Sequence, residues 1–275
     1  MAEAGIAFRK EFGQNFLINR IIPEDIADSC ADYSDMMILE IGPGIGCLTQ
    51  ELAIRYKKVV AVEIDTGLIP ILERTMAEYD NVTVINDDIM KVDLTALVEK
   101  YSDGMPIAVC ANLPYYITTP ILMRLLESGV KFSQITIMIQ NEVAARLVAK
   151  PGSSDYGAIT AVLGYYGECK KLFKVSAGCF TPMPKVDSAV VRIDLYREPR
   201  FTPVSESLFR DVIRAAFEMR RKTLLNALSA KLGAYTKDEI LSAIRAIGKN
   251  DDIRGERLST EEFVKLSDEL ARIKA

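Results

Sequence analysis

Met36-Met37-Ile38-Leu39-Glu40-Ile41-Gly42-Pro43-Gly44-Ile45-Gly46 carries an apolar run into a turn with three glycines, and a helical pattern begins at Leu48. A short apolar run bounded by turn residues suits a strand buried on both faces, and such strands occur in parallel sheets covered by helices. Strand, glycine loop and helix in succession form the first unit of an open α/β sheet, whose ligands lie beyond the C-terminal ends of the strands. Outward from this unit, apolar runs at Val59–Ile64, Val82–Asn86, Ile107–Ala111, Ile135–Gln140, Cys169–Val175 and Ser188–Leu195 complete a set of seven candidate strands. Helical patterns at Ile22–Tyr33, Leu48–Tyr56, Leu68–Tyr79, Leu94–Tyr101, Thr119–Glu127, Asn141–Ala149 and Tyr156–Tyr166 alternate with them. This alternation predicts parallel βαβ units. The last two strands are separated only by the loop Ser176 to Lys185 and are expected as an antiparallel hairpin at one edge.

After Leu195 the character changes. Arg197-Glu198-Pro199-Arg200-Phe201-Thr202-Pro203 reads as a linker, followed only by amphipathic helical patterns at Glu206–Met219, Lys222–Leu232, Lys237–Ile247 and Thr260–Lys274. Two domains are therefore expected, an α/β domain with an N-terminal arm over residues 1–199 and a small all-helical domain over 200–275.

Composition excludes several chemistries. The chain of 275 residues is 49% hydrophobic, yet no apolar run approaches the roughly 18–20 residues of a membrane span. Met1 to Lys10 lacks the apolar core and cleavage site of a secretory signal, so a cytoplasmic location is expected. Cys30, Cys47, Cys110, Cys169 and Cys179 are widely spaced, with no C-x-x-C pair, and suggest reduced thiols rather than a zinc site or a disulfide framework. There are 0 histidines, which excludes imidazole-based triads and histidine-ligated metals. The net charge is −4, but unevenly spread: residues 1–100 carry 9 Lys/Arg against 18 Asp/Glu, whereas 165–231 carry 13 against 7. Lys170, Lys171, Lys174, Lys185, Arg192, Arg197, Arg200, Arg210, Arg214 and Arg220-Arg221-Lys222 make up that basic stretch, which suits either a nucleic-acid-binding face or ordinary solvated surfaces.

Four motifs fall at the ends of successive proposed strands. Gly42 and Gly44 form G-x-G with Glu63 21 residues on, as in a dinucleotide site, but Cys47 stands where G-x-G-x-x-G needs glycine. Gly46 makes the pattern G-x-G-x-G instead, suiting close backbone approach to an amino-acid-bearing ligand. Taken alone, the loop equally fits a tight turn or another nucleotide site. Glu63 would accept the two hydroxyls of a ribose, and Asp88 would accept from an adenine amine. Asn112-Leu113-Pro114-Tyr115 is an Asn-x-Pro-aromatic tetrapeptide suited to methyl transfer onto an exocyclic base nitrogen. That lone pair is delocalised into the ring until acceptors hold the N–H groups. The Asn carbonyl and a backbone carbonyl fixed by proline are such acceptors, and Tyr115 offers a flat surface for an extruded base. Displacement at a sulfonium methyl needs no imidazole, because the leaving group is already activated by its charge.

On these residues the chain resembles the KsgA/RsmA-type small-subunit (16S) rRNA adenine N6,N6-dimethyltransferases. The resemblance spans nearly the whole chain. It rests on Phe12-Gly13-Gln14-Asn15-Phe16-Leu17, the Glu40–Gly46 loop with Leu48-Thr49, Asn112-Leu113-Pro114-Tyr115 and Phe180-Thr181-Pro182-Met183-Pro184-Lys185-Val186-Asp187-Ser188. Arg220-Arg221-Lys222-Thr223-Leu224-Leu225-Asn226 and Arg254-Gly255-Glu256-Arg257-Leu258-Ser259 are also similar. Tyr116 departs from the family, whose members often carry Asn there.

The resemblance implies a seven-stranded Rossmann-like class I methyltransferase sheet with S-adenosyl-L-methionine as cofactor and no metal. It implies that Asn15 and Leu17 close over the cofactor, that Gly42, Gly44 and Glu63 hold its methionine and ribose parts and Asp88 its adenine. Asn112 would border cofactor and target amine, Leu113 and Pro114 would complete the catalytic tetrapeptide, and Tyr115 and Phe180 would sandwich the base. The implied reaction is dimethylation of two adjacent adenosines in the 3′-terminal hairpin loop of small-subunit rRNA, by a monomer acting on an assembling 30S-type particle.

Without the resemblance, Phe180 suits a loop anchor on the core, and Phe12 and Phe16 a staple for the N-terminal arm. Cations at Arg220–Lys222 oppose the dipole of a helix starting there, which argues for phosphate contact, unless the preceding helix continues through them. Rival functions are a large-subunit rRNA dimethyltransferase of the Erm type, a non-catalytic assembly factor, and a nicotinamide-dependent oxidoreductase disfavoured by Cys47.

Overall fold

The computed structural model describes residues 15–274. Phe12, Gly13 and Gln14 of the N-terminal motif lie outside the described residues. In chain order the strands are β1 Phe16–Leu17, β2 Met37–Ile41, β3 Lys58–Glu63, β4 Val82–Asn86, β5 Ile107–Asn112, β6 Phe132–Gln140, β7 Gly167–Val175, β8 Phe180–Thr181 and β9 Ser188–Leu195. The helices are α1 Ile21–Asp28, α2 Cys47–Arg55, α3 Ile69–Thr75, α4 Leu94–Tyr101, α5 Thr118–Glu127, α6 Asn141–Leu147, α7 Ala158–Tyr166, α8 Glu206–Glu218, α9 Leu224–Lys231, α10 Lys237–Ala246 and α11 Thr260–Ile273.

The seven expected strands form one mixed sheet in the order β4-β3-β2-β5-β6-β9-β7. Its centre is parallel, with β2 flanked by β3 and β5, and the antiparallel β9 joins next to β6. All five residues of β2 are buried, as expected of a central strand covered on both faces. From β2 the chain runs outward to β3 and β4 on one side and then to β5 and β6 on the other. Such a reversal opens a crevice beyond the carboxyl ends of the two middle strands. Register makes this specific: Ile41 pairs with Ala111, so the Gly42 loop and Asn112 leave the sheet side by side.

A second, two-stranded sheet was not expected from the sequence. β1 pairs antiparallel with β8, Phe16 opposite Thr181 and Leu17 opposite Phe180, and Ile18 N–H donates to the Cys179 carbonyl at 2.9 Å. Two residues per strand are too few for a period-2 pattern to be legible. The ribbon is anchored from below, because Leu17 and Phe180 are buried in one apolar cluster with Ile26, Leu52 and Val190.

The chain divides into two compact units, the first comprising the described residues up to Ala144 with Lys170–Arg197, the second Ala145–Cys169 with the chain from Glu198 onward. Within the second unit α7 packs against α8 and α11. Gly164 permits this, since a Cβ there would lie 2.4 Å from Thr260 Oγ1. Residues 145–169, which lie between β6 and the body of β7 in sequence, thus group with the chain from Glu198 onward, where a boundary at residue 199 places them with the sheet. Each helix from α8 onward starts directly after a capping side chain. Ser205, Thr223, Thr236 and Ser259 each accept the N–H of the residue three further on, with reciprocal Glu239 and Glu262 in the last two. Phe209 and Phe263 form the middle of this unit's core.

Arg220, Arg221 and Lys222 neither start a helix nor continue one. They occupy the turn between Glu218, the end of α8, and Thr223, the cap of α9. Arg220 is engaged there, donating to the Ser154 carbonyl at 2.9 Å and pairing with Glu256 at 3.4 Å. Most cations of the basic stretch likewise have carboxylate partners: Lys170 with Asp194, Lys174 with Asp187, Arg192 with Asp32 and Asp194, Arg210 with Glu206. Exposed pairs of this kind hold by only about 0–1 kcal/mol, so a phosphate can displace the carboxylate.

Candidate active site

The loop after β2 is shaped by three glycines in the left-handed region, Gly42 at φ 69°, Gly44 at 62° and Gly46 at 93°. Gly42 N–H donates to the Val62 carbonyl at 3.0 Å, which ties the start of the loop to β3. Gly44 also bears a close approach, because a Cβ there would meet the Phe16 ring at 3.2 Å. The β1 strand therefore lies directly over the glycine loop. Gly46 caps α2 and faces the Met76 methyl at 2.8 Å from a notional Cβ, which explains a third glycine at a spacing that does not match the dinucleotide pattern.

Glu63 ends β3 and is 4% exposed. Its carboxylate accepts Gly44 N–H at 3.0 Å on Oε2 and Asp65 N–H at 2.8 Å on Oε1. Burial pushes its pKa up, and those two bonds oppose the shift. Each oxygen keeps a second lone pair, so the group can still accept from a vicinal diol. Glu40, one residue before the end of β2, also lines the cleft. Its Oε2 has no hydrogen-bond partner among the described residues, nor has Thr49 Oγ1. Burial pushes the Glu40 carboxyl up to about 8, the neighbouring Thr49 hydroxyl opposes the shift, and the nearby Glu63 adds to it.

Asn112 ends β5, and its Nδ2 donates to the Asn15 carbonyl at 3.4 Å. That bond turns the amide so that Oδ1 is left as an acceptor. In the turn that follows, the Pro114 carbonyl is taken by Ile117 N–H and Thr118 Oγ1, both at 3.2 Å. Leu113 is 1% exposed and its N–H donates to the Met138 carbonyl at 3.2 Å, so the tetrapeptide is locked to β6. The Tyr115 hydroxyl lies 2.8 Å from Ser188 Oγ, at the start of β9, and Ser188 is fully buried. This bond sets the tilt of the Tyr115 ring at the cleft. Removing it by Ser188→Ala or Tyr115→Phe is expected to lower turnover about 3–10-fold, the worth of one hydrogen bond, with cofactor affinity unchanged. The double variant should be no slower than either single one; additive losses would show that the two hydroxyls act separately.

One cleft collects most of these groups. Asn15, Leu17, Gly42, Gly44, Glu63, Asn112, Leu113, Pro114 and Tyr115 all line it, as do Glu40, Cys47 and, at 63% exposure, Tyr116. Its empty space, counted out through the open mouth into solvent, is about 890 Å³. Asp88 and Phe180 are not among its lining residues. The Asp88 carboxylate accepts Met90 N–H at 2.9 Å and lies 3.8 Å from Lys91 Nζ, beyond the end of β4. Phe180 is 2% exposed in the cluster beneath the β1–β8 ribbon. Sequence reasoning missed Glu40, which a strand pattern presents as one more buried position, and Ser188, whose role depends on a partner 73 residues away. Among the described residues no group of three or more acidic, Cys or His side chains is placed to hold a metal.

The chain is similar to known proteins over nearly its whole length. The family model described as ribosomal RNA adenine dimethylase matches residues 5–272. The chain is 47% identical over 264 residues to the ribosomal RNA small subunit methyltransferase A of Alkaliphilus metalliredigens, covering 96% of this chain and 92% of that one. It is 46% identical over 265 residues to the protein of the same name from Clostridium acetobutylicum, covering 96% and 94%. Among solved structures it is similar to a dimethyladenosine transferase from Plasmodium falciparum, with a TM-score of 0.76, 26% identity and coverage of 91% and 95%. It is also similar to the 23S rRNA methyltransferase ErmE, with a TM-score of 0.71, 26% identity and coverage of 94% and 100%. With a family model spanning nearly the whole chain and relatives at this identity over more than nine-tenths of its length, the chain belongs to the ribosomal RNA adenine dimethylase family.

Proposed function

We propose that this enzyme transfers methyl groups from S-adenosyl-L-methionine to N6 of two adjacent adenosines in the 3′-terminal hairpin loop of small-subunit rRNA, within an assembling particle. The observation that carries the reading is the side-by-side exit of the Gly42 loop and Asn112 from adjacent strands into one cleft. The names of the relatives, at 46–47% identity, favour the small subunit over the large. A cytoplasmic, monomeric protein is part of the same proposal.

The residues present fit the cofactor. Three positive-φ glycines admit a ligand against the backbone, Glu63 has lone pairs for a ribose diol, and two buried carboxyls suit a cation. When bound, the cofactor supplies a methyl group made electrophilic by the positive sulfur. The chain's own contribution is position. Asn112 Oδ1 and the Leu113 carbonyl accept hydrogen bonds from the N6–H groups of adenine, return electron density to the nitrogen and aim its lone pair, and one N–H proton passes to solvent with each methyl gained. The face of Tyr115, tilted by Ser188, stacks on the extruded base. Phe180 holds the β1–β8 ribbon over the site from beneath, and its ring meets the second face of the base only if it leaves the core. Asp88 reaches the cofactor's adenine from the end of β4. Arg221 and Lys222, in the exposed turn before α9, are suited to rRNA phosphates.

The test is transfer of labelled methyl to small and large ribosomal subunits from cells lacking the modification, followed by nucleoside analysis. Dimethyladenosine confined to the small subunit is the expected result. Label only in the large subunit would move the protein to the Erm class, and no label in either, with cofactor bound, would leave an assembly factor.

A further inference from the structure

Two carboxyl groups from adjacent strands line the cleft, and only one of them is equipped to carry a charge there. Glu40 and Glu63 are 1% and 4% exposed. The parallel register sets Glu40 opposite Ala61, so Glu63, two residues on, is its diagonal neighbour on the same face of the sheet. Glu63 holds one backbone N–H on each oxygen, which is what an ionised carboxylate requires. Among the described residues, one oxygen of Glu40 has no hydrogen-bond partner. An ionised group so placed is strongly unfavourable. Two like charges in one dry site also oppose each other, which leaves one member of the pair protonated. Burial, reinforced by Glu63, accordingly holds Glu40 up to about 8.

The other groups around it do not take over this role. Cys47 on α2 is raised by burial and by Glu40, and Cys110 on β5 by the Cys30 thiol and by burial, so both stay protonated. Thr49 on α2 does not titrate. Arg20 places positive charge near Cys47, and Asp65 places negative charge near Glu63 while accepting Gly67 N–H at 2.9 Å. Glu40 is the group among these that changes charge close to neutrality.

We infer that Glu40 is the counter-charge of the cationic cofactor and enters that role by giving up its proton, so that cofactor uptake is coupled to proton release. The inference rests on the reading of the cleft as a site for S-adenosyl-L-methionine. The O–H bond of the Glu40 carboxyl breaks, the proton passes to solvent, and the carboxylate formed faces the ligand's positive charge. After methyl transfer the ligand has lost its sulfonium charge while the carboxylate remains. The product S-adenosylhomocysteine is therefore held less tightly than the substrate, which favours the cofactor exchange that two transfers per base require.

Calorimetric titration of the full chain with S-adenosyl-L-methionine, in two buffers of different ionisation enthalpy, counts the protons directly. Close to one proton released per ligand at pH 7 is expected, with affinity rising up to about tenfold per pH unit below about pH 8 and levelling above it. Glu40→Gln should bind with pH-independent affinity, release no proton, and lose most of the preference for S-adenosyl-L-methionine over S-adenosylhomocysteine. Saturable binding without proton release, or undiminished release from Glu40→Gln, would overturn the inference while leaving the cofactor reading intact. No saturable binding at any pH would overturn both. Thermal unfolding supplies a second readout. The folded apo chain keeps this proton from the ordinary value of 4.5 up to about 8, whereas the unfolded chain has released it. Apo stability therefore falls as pH rises through that window, and the stabilisation by bound cofactor should grow with pH over the same range. A pH-independent shift would count against the coupling.

Discussion

Asn112→Ala lowers methyl transfer about 10²–10³-fold, the effect of removing a preorganised partner from a reacting group, while cofactor affinity falls only several-fold. On the proposed reading Asn112 borders both ligands of the cleft; it stands at the end of β5 beside the Gly42 loop, with its amide turned by the Asn15 carbonyl. Alanine removes both the acceptor for the target amine and the donor that ties the arm to the site. Tyr115→Ala is expected to cost about 5–150-fold, the equivalent of roughly 1–3 kcal/mol of base stacking, and to act on rRNA engagement rather than on the cofactor. Single-turnover methylation with saturating cofactor measures both. Rates near the unsubstituted enzyme in both variants would remove the tetrapeptide from the reaction and favour the assembly-factor reading.

Glu63→Ala raises the dissociation constant for S-adenosyl-L-methionine about 100-fold or more, as expected for two lost hydrogen bonds to a charged acceptor at about 1.5–3 kcal/mol each. The side chain acts twice. On the proposed reading it holds the ligand's ribose, and it fixes the glycine loop and the turn after β3 through Gly44 N–H and Asp65 N–H. Glu63→Gln retains one acceptor oxygen in the same place and should lose about tenfold. Titration calorimetry separates the variants, and equal affinity in Glu63→Ala would exclude the ribose role. Since Glu63 also keeps Glu40 neutral, Glu63→Ala should lower the Glu40 pKa and shrink the number of protons released on binding.

Much of this architecture was legible along the chain. Seven strands in the main sheet, the helices between them and the helical C-terminal part follow from apolar runs and periodicity, which act within a few residues of one another. Leu94–Tyr101, Val82–Asn86 and Ser188–Leu195 have the bounds read from sequence. Residues 145–169 show where such reading stops. Their helix was legible, but its packing partners were not, because Gly164 meets Thr260 across nearly a hundred intervening positions.

The candidate site divides in the same way. The sequence by itself determined the chemical groups: glycines where the backbone turns left-handed, an acidic residue at the end of β3, and an amide, proline and aromatic ring at the end of β5. Those depend on local backbone preference and on a motif's own order. Only the tertiary structure decided what surrounds them. Strand order brought the Gly42 loop beside Asn112, the β1–β8 ribbon laid Phe16 over Gly44, and β9 delivered Ser188 to Tyr115. It also placed Phe180 in the core and left the Glu40 carboxyl buried with one oxygen unpartnered among the described residues. Such features arise from desolvation and contacts between distant segments, which no local pattern encodes.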